Sequence, residues 1–290
     1  MAEERVVIVA SLSDLELFLD RKTGVIDFSK RKKVEVRCRI HRDEILSFCQ
    51  NQLNFTPGSG KIDIVANDLV LTGPSKIFWI DNLTVNGALN CERKDVWVNG
   101  KVELGYGGEL KNTTLACEQL KSGGSIKLNV LDALDVHVRD LYCKCTQAAY
   151  LEATEICSLG VAQIGTLLVK AGADVDLTPT TDTERKKLMR EEILKGRDGS
   201  DNDIAELVVR EGVARAENLS IGETKASSGA GVELINVTGK YVITTGENTR
   251  VDKYNCDITY SETDKLAEVI DHDAKSAKTE MVREIVPYGG

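Results

Sequence analysis

The chain is poor in aromatic residues (5%), has only 4 prolines among 290 residues, and contains no long apolar run. Few prolines exclude a mucin-like or linker-dominated chain. No segment reaches the eighteen or so apolar residues needed to cross a bilayer, so no membrane insertion is expected. The only apolar run near the start, Val6 to Ala10, is too short for the hydrophobic region of a secretory signal. Excess basic charge is also missing. A net charge of -9 and a pI near 5.1 disfavour nucleic acid and anionic membranes as partners, since phosphate binding needs a concentrated basic surface.

What is present is enough to fold: 42% hydrophobic residues for a substantial core and 24 glycines for tight corners. The eight cysteines stand at 38, 49, 91, 117, 143, 145, 157 and 256. Without a secretory signal they are expected to be free thiols, and the chain to be cytoplasmic.

The strongest positive signal is a spacing. Leu89-Asn90-Cys91 returns as Leu115-Ala116-Cys117 and Leu141-Tyr142-Cys143, followed by Leu167-Leu168-Val169, so the numbering advances by 26 each time. Phe78, Leu104, Val130 and Ile156 form a second apolar series at the same interval. Between them lie alternating runs such as Val96-Trp97-Val98 and Leu134-Asp135-Val136-His137-Val138, broken by Asn-Gly at 86-87 and 99-100 and by Gly-Gly at 107-108 and 123-124. Alternation and turn residues are strand chemistry, and no window keeps the three-four spacing of a helical repeat. The expected fold is therefore dominated by β-structure: a parallel β-helix or β-solenoid with coils of about 26 residues. A sandwich of antiparallel hairpins, which the Asn-Gly pairs alone would allow, has no reason to keep a fixed interval.

Five segments follow. Residues 1-60 form an α/β capping segment: a strand at Arg5 to Ala10, a short helix at Ser11 to Asp20 capped by Ser11 or Ser13, a strand at Val34 to Ile40, and a helix within His41 to Leu53. An independent docking domain is the other reading of this segment. Residues 61-177 are solenoid coils. Residues 178-203 are a helical insertion, in which Thr181-x-x-Glu184 is a capping box, Glu184 to Lys195 is rich in helix formers, and Leu188, Met189, Ile193 and Leu194 make an apolar interaction face. Residues 204-260 are further coils, and 261-290 a helical or frayed tail. The phrase Asn82-Leu-Thr-Val recurs as Asn218-Leu-Ser-Ile and, shortened, as Asn236-Val-Thr.

The most enzyme-like cluster is Asp132, Asp135, His137, Arg139 and Asp140. Asp135, His137 and Arg139 alternate with Val136 and Val138, which puts them on one outward strand face. Carboxylates so displayed, Asp132 and Asp135 with His137, are the candidate catalytic set of a polysaccharide hydrolase or lyase, where an acid and a base flank a glycosidic bond. A solvated face of opposite charges explains the same pattern. Cys143-x-Cys145 with Cys157 lacks the paired Cys-x2-Cys spacing of a zinc site. Asp198 to Asp203 resembles a calcium loop, but the closing Glu of the twelve-residue register is missing. No metal or cofactor is expected. Sequons at Asn54, Asn82, Asn112, Asn218 and Asn236 read as corner residues.

One phrase resembles a known family. Cys117-Glu118-Gln119-Leu120-Lys121 is similar to the Cys-x-Gln-x-Arg signature of the intracellular β-helix domain of tubulin-folding cofactor C and its relatives, where the Arg assists GTP hydrolysis by a partner GTPase. The resemblance implies β-helical architecture. Lys121 stands in the Arg place, and an ammonium cannot bridge two phosphoryl oxygens as a guanidinium does, so the activity is not carried over. The leading functional expectation is a non-enzymatic scaffold that binds a protein partner, or itself, within a larger assembly.

Overall fold

In the computed structural model, residues 6–111, 113–177 and 203–273 are described. The chain forms a parallel β-solenoid of about 10 turns, 63% strand, with two helices among the described residues. It divides into two compact units, Met1–Val138 and Arg139–Gly290.

The first unit holds β1 (Val7–Val9), helix α1 (Leu12–Leu15), β2 (Val25–Asp27), β3 (Lys33–Val36), helix α2 (Arg42–Asn51), β4 (Asp63–Ala66), β5 (Asp68–Leu71), β6 (Ile77–Ile80), β7 (Asn82–Val85), β8 (Ala88–Glu92), β9 (Asp95–Val98), β10 (Lys101–Leu104) and β11 (Gly107–Lys111). The long β12 (Thr114–Ala153) begins here. Every registered strand pair is parallel, and the strands stack in three columns. One runs β1, β3, β5, β8, β11, β12; the second β2, β4, β7, β10, β12; the third β6, β9, β12. Alternation drives each strand's burial: β4 to β7 all read half-buried, buried, half-buried, buried, because inward Ile64, Leu69, Phe78 and Leu83 stack while outward neighbours meet water.

The coil length differs from the sequence expectation. Leu69 faces Leu89, Leu83 faces Val102 and Ile77 faces Asp95, so these turns advance the numbering by 20, 19 and 18, while the earlier pairs Val7 with Val34, Val25 with Asp63 and Lys33 with Asp68 advance it by 27, 38 and 35. The step is not 26. Leu89, Leu115, Leu141 and Leu167 are all fully buried, but their partners are other residues: Leu115 faces Val96, and Leu141 faces Cys157. Each of the four stands at an inward position of its own strand, so the series marks the core without marking neighbours. The second series fails at Ile156, which is 45% exposed. Cys91 faces Leu71 and Leu110, and Cys143 faces Leu159, so the thiols are core residues without stacking on one another.

The strands of residues 1-60 lie in the same columns as the later ones, and β2 pairs β4 across the expected 60/61 boundary. The α1 helix is shorter than expected, but Ser11 is its cap, with a capping box closed by Asp14. Phe18 to Asp20 then runs antiparallel along β2, through Asp27 N–H to Phe18 O (2.8 Å) and Asp20 N–H to Val25 O (2.8 Å). The α2 helix buries Ile45 and Cys49. Its first residue, Arg42, reaches Asp81, a carboxylate only 6% exposed that also accepts from Ile62 N–H (2.7 Å) and Asn99 Nδ2 (2.8 Å).

The second unit holds the rest of β12, then β13 (Ile156–Val169), β14 (Asp174–Leu177), β15 (Ile204–Arg210), β16 (Val213–Glu217), β17 (Ser220–Ser227), β18 (Gly231–Ile235), β19 (Thr238–Thr245), β20 (Arg250–Tyr254), β21 (Asp257–Thr263) and β22 (Glu268–Asp271). Odd-numbered strands from β13 to β21 stack in one column and even-numbered strands from β14 to β22 in another. Residues 261 to 270 were expected to be helical; instead β21 and β22 pair β19 and β20 in parallel, because their side chains continue the two ladders. Corners are held by an asparagine ladder. Asn218, Asn236 and Asn255 all take positive φ, near 54°, 52° and 51°, and each Nδ2 of the later two donates to the Oδ1 one turn earlier (2.8 and 2.7 Å). Asn tolerates this left-handed conformation, which is why the Asn218 and Asn236 sequons are corners here.

Candidate functional site

The sequence-predicted cluster is only partly brought together. In the first unit Asp135 and His137 share the outward face, with the alternating Val136 and Val138 buried. The His137 Nε2 lies 2.9 Å from Asp135 Oδ1, and Gln119 Nε2 donates to Asp135 Oδ2 at 2.8 Å. Both carboxylate oxygens are thereby engaged. The Gln of the Cys-x-Gln-x-Lys phrase is thus an outward rung partner of Asp135. Asp132 sits apart from that pair, three residues earlier, where its charge adds to burial in raising the Cys117 thiol to about 12.

In the second unit, Asp140 is buried at 7% exposure and does structural work: Oδ1 accepts Ile156 N–H (3.1 Å), and Oδ2 accepts Arg139 Nε and Nη2 (3.2 and 3.0 Å). Cys143 and Cys145 both point into the core, as alternation predicts, and the Cys143 thiol donates to Cys145 O at 3.0 Å. Burial pushes Cys157 up as well. Among the described residues, no group of three or more His, Cys, Asp or Glu side chains could hold a metal ion. The residues Leu188, Met189, Ile193 and Leu194, and the acidic loop except Asp203, lie outside the described residues.

Two features of the first unit escaped sequence reasoning. One is an open cleft of about 530 Å³ lined by Val70, Asn90, Cys91, Arg93, Lys94 and Lys111 among others. Its buried cation is already committed: Lys94 Nζ donates to Gly73 O and to Ser75 O, the latter at 2.7 Å. Burial lowers the Lys94 pKa and raises the Cys91 thiol to about 11. The exposed charges cancel in pairs, Lys111 with Glu109 at 3.3 Å and Arg93 with Glu92 at 3.7 Å.

The other is an aromatic ladder outside the third column. The chain's two tryptophans, Trp79 on β6 and Trp97 on β9, face each other in register and meet edge to face at 6.5 Å; His41 adds a third ring 4.9 Å from Trp79. Trp79 Nε1 donates to Asn99 Oδ1 at 2.8 Å, and Trp97 is 43% exposed. The interval between the two tryptophans in the sequence could have revealed this, and it is the coil step from β6 to β9. No helix among the described residues is long and apolar enough to cross a membrane. Compared with family models, with curated proteins and with solved structures, the chain matches none.

Proposed function

We propose that the protein is a non-enzymatic scaffold, a β-solenoid whose outward ladders and inserted segment hold a protein partner within a larger assembly. The observation that carries this reading is the break in register within the second unit. Ile164 faces Ile204 and Asp174 faces Val213, so the numbering jumps by 40 and 39 there, whereas the next turns return to 17 and 18. One coil therefore carries about twenty extra residues between β14 and β15, and the stacking resumes unchanged on either side. Excursions from one corner of a repeat cluster on binding faces. Leu188, Met189, Ile193 and Leu194 are the proposed docking residues on this segment. Size-exclusion chromatography with light scattering and a pull-down from source extract test the proposal. A specific partner or defined self-assembly, lost in a variant with all four residues changed to Asp, is the expected outcome; a strictly monomeric protein with no partner counts against it.

A second reading, a carbohydrate-active β-helix, draws on the Asp135–His137 contact. Polysaccharide digestion that disappears in Asp135→Ala is its test.

A further inference from the structure

The outward aromatic ladder offers one indole to solvent. Trp79 lies between His41 and Trp97, at ring distances of 4.9 and 6.5 Å, and its Nε1 donates to Asn99 Oδ1 at 2.8 Å. Asn99 Nδ2 in turn donates to Asp81 Oδ1 (2.8 Å), and Arg42 Nε to Asp81 Oδ2 (2.8 Å). The backing of the platform is therefore fixed. On the other side Trp97 faces Ala116, so the next rung is only a methyl and the indole stays 43% exposed. Val96, Val98, Leu115 and Cys117 are buried, so Trp97 and Ala116 both point outward.

What surrounds that indole is polar. Asp95 stands two residues before Trp97 on β9, and Glu118 stands two residues after Ala116 on β12, both on the outward side. Among the described residues neither carboxylate takes part in a hydrogen bond or an ion pair. A parallel strand rises about 3.3 Å per residue, so the two carboxylates are carried about 6.6 Å to opposite sides of the indole, about 13 Å apart along the strands. One ammonium cannot reach both. A short oligosaccharide can: a pyranose ring with every hydroxyl equatorial presents only C–H groups on its faces, to lie against an indole, and O–H donors along its rim for acceptor-only carboxylates. The same carboxylates repel an anionic glycan. The core of a protein interface is depleted of charged residues, whereas Asp95, Asn99 and Glu118 ring this indole.

We infer that Trp97 is the platform of a binding site for an uncharged oligosaccharide of all-equatorial pyranoses, a β-linked glucan segment, lying along the strands with Asp95 and Glu118 at its rim. The inference goes beyond the scaffold reading and does not rest on it. The site binds without cleaving, so it makes no use of the Asp135–His137 pair.

Isothermal titration calorimetry of the full chain with cellotetraose tests it. Saturable binding is expected, absent in Trp97→Ala, partly recovered in Trp97→Tyr, and about fivefold weaker in Asp95→Ala and in Glu118→Ala. Trp79 emission reports whether the ladder of Trp97→Ala is folded. Tetragalacturonate and tetra-lysine should not bind, and the cellotetraose should be recovered uncleaved. No binding of cellotetraose to wild type overturns the inference, and so does binding that folded Trp97→Ala retains. Tetra-lysine binding lost in Trp97→Ala overturns it in favour of a cation site. Cellotetraose binding lost equally in Asp135→Ala overturns it as well, since the glycan would then lie on the Asp135–His137 pair.

Discussion

Among the described residues, the first and last turns differ in what they enclose. A solenoid's end coil exposes one side of its core and one row of backbone groups. At the start, extra chain covers apolar residues: Phe18 to Asp20 lies along β2, Phe18 packs edge to face on fully buried Phe28 at 4.9 Å, and α2 buries Ile45 and Cys49. Toward the end, the interior itself turns polar. Leu207, Thr224, Val242 and Ser261 succeed one another in register, as do Val209, Ala226, Thr244 and Thr263. Leu234 is followed by Lys253, 5% exposed, and then by Asp271, whose Oδ2 lies 3.5 Å from its ammonium. In the last described turns, hydroxyls bonded to each other, such as Thr244 and Thr263 (3.0 Å), stand where apolar side chains stack earlier in the column.

That contrast predicts unequal sensitivity. Phe28→Ala, at the covered end, should lower unfolding free energy by about 3–5 kcal/mol in urea titration, while Thr263→Ala should cost less than about 1 kcal/mol. Equal losses would remove the distinction. Next in size, Asp81→Ala strands the Arg42 guanidinium and two donors; a loss of about 3 kcal/mol is expected, with Arg42→Ala non-additive with it in a double-mutant cycle. Gly108→Ala should cost about 1–3 kcal/mol, because its Cβ would fall on the Leu89 carbonyl one turn away. In the second unit, Asn236→Ala breaks two rungs of the amide ladder and strains a left-handed corner, for about 1–2 kcal/mol; Asn236→Gly should recover the strain part.

The smallest expected effect is electrostatic and again at the first end. Glu35, bonded by Arg37 and by Thr72 Oγ1, is held down to about 2 from an ordinary 4.5. A depressed carboxylate stabilises the fold above its unfolded pKa, and that part is lost as pH falls from about 4.5 toward 2. Glu35→Gln should therefore shift the urea midpoint slightly at pH 7 and not at all near pH 2. A shift that persists at pH 2 would assign the effect to packing. The thiols give an alkaline counterpart: Cys91, raised to about 11 by burial, should resist thiol reagents at pH 8 until the protein unfolds.

Much of the fold was legible in local pattern. Alternation in Val96-Trp97-Val98 and Leu134 to Val138 identified strands, Ser11 was one of two residues read as a cap, and a helix was placed within His41 to Leu53, because each signal lies within a few residues. The parallel solenoid was inferred from strands without helical spacing joined to a 26-residue interval, and that interval is not the coil step. Within the site, the outward alternation of Asp135 and His137 was readable, yet the bond from Gln119 to Asp135 was not, since it depends on the shorter step at that turn. Residues 261 to 270 misled because charged residues with a few spaced apolar ones suit a helix as well as the outer strand of a ladder.

What the sequence determined by itself is which residues face inward, since a period of two is local chemistry. Which inward residue lies over which was decided only by tertiary structure. The step is shorter between Leu141 and Cys157 than between Leu69 and Leu89, it is 19 between Leu83 and Val102, and it doubles between Ile164 and Ile204 where a segment is inserted. Backbone hydrogen bonds between turns select one register from these, and with it the outward succession of Trp79, Trp97 and Ala116.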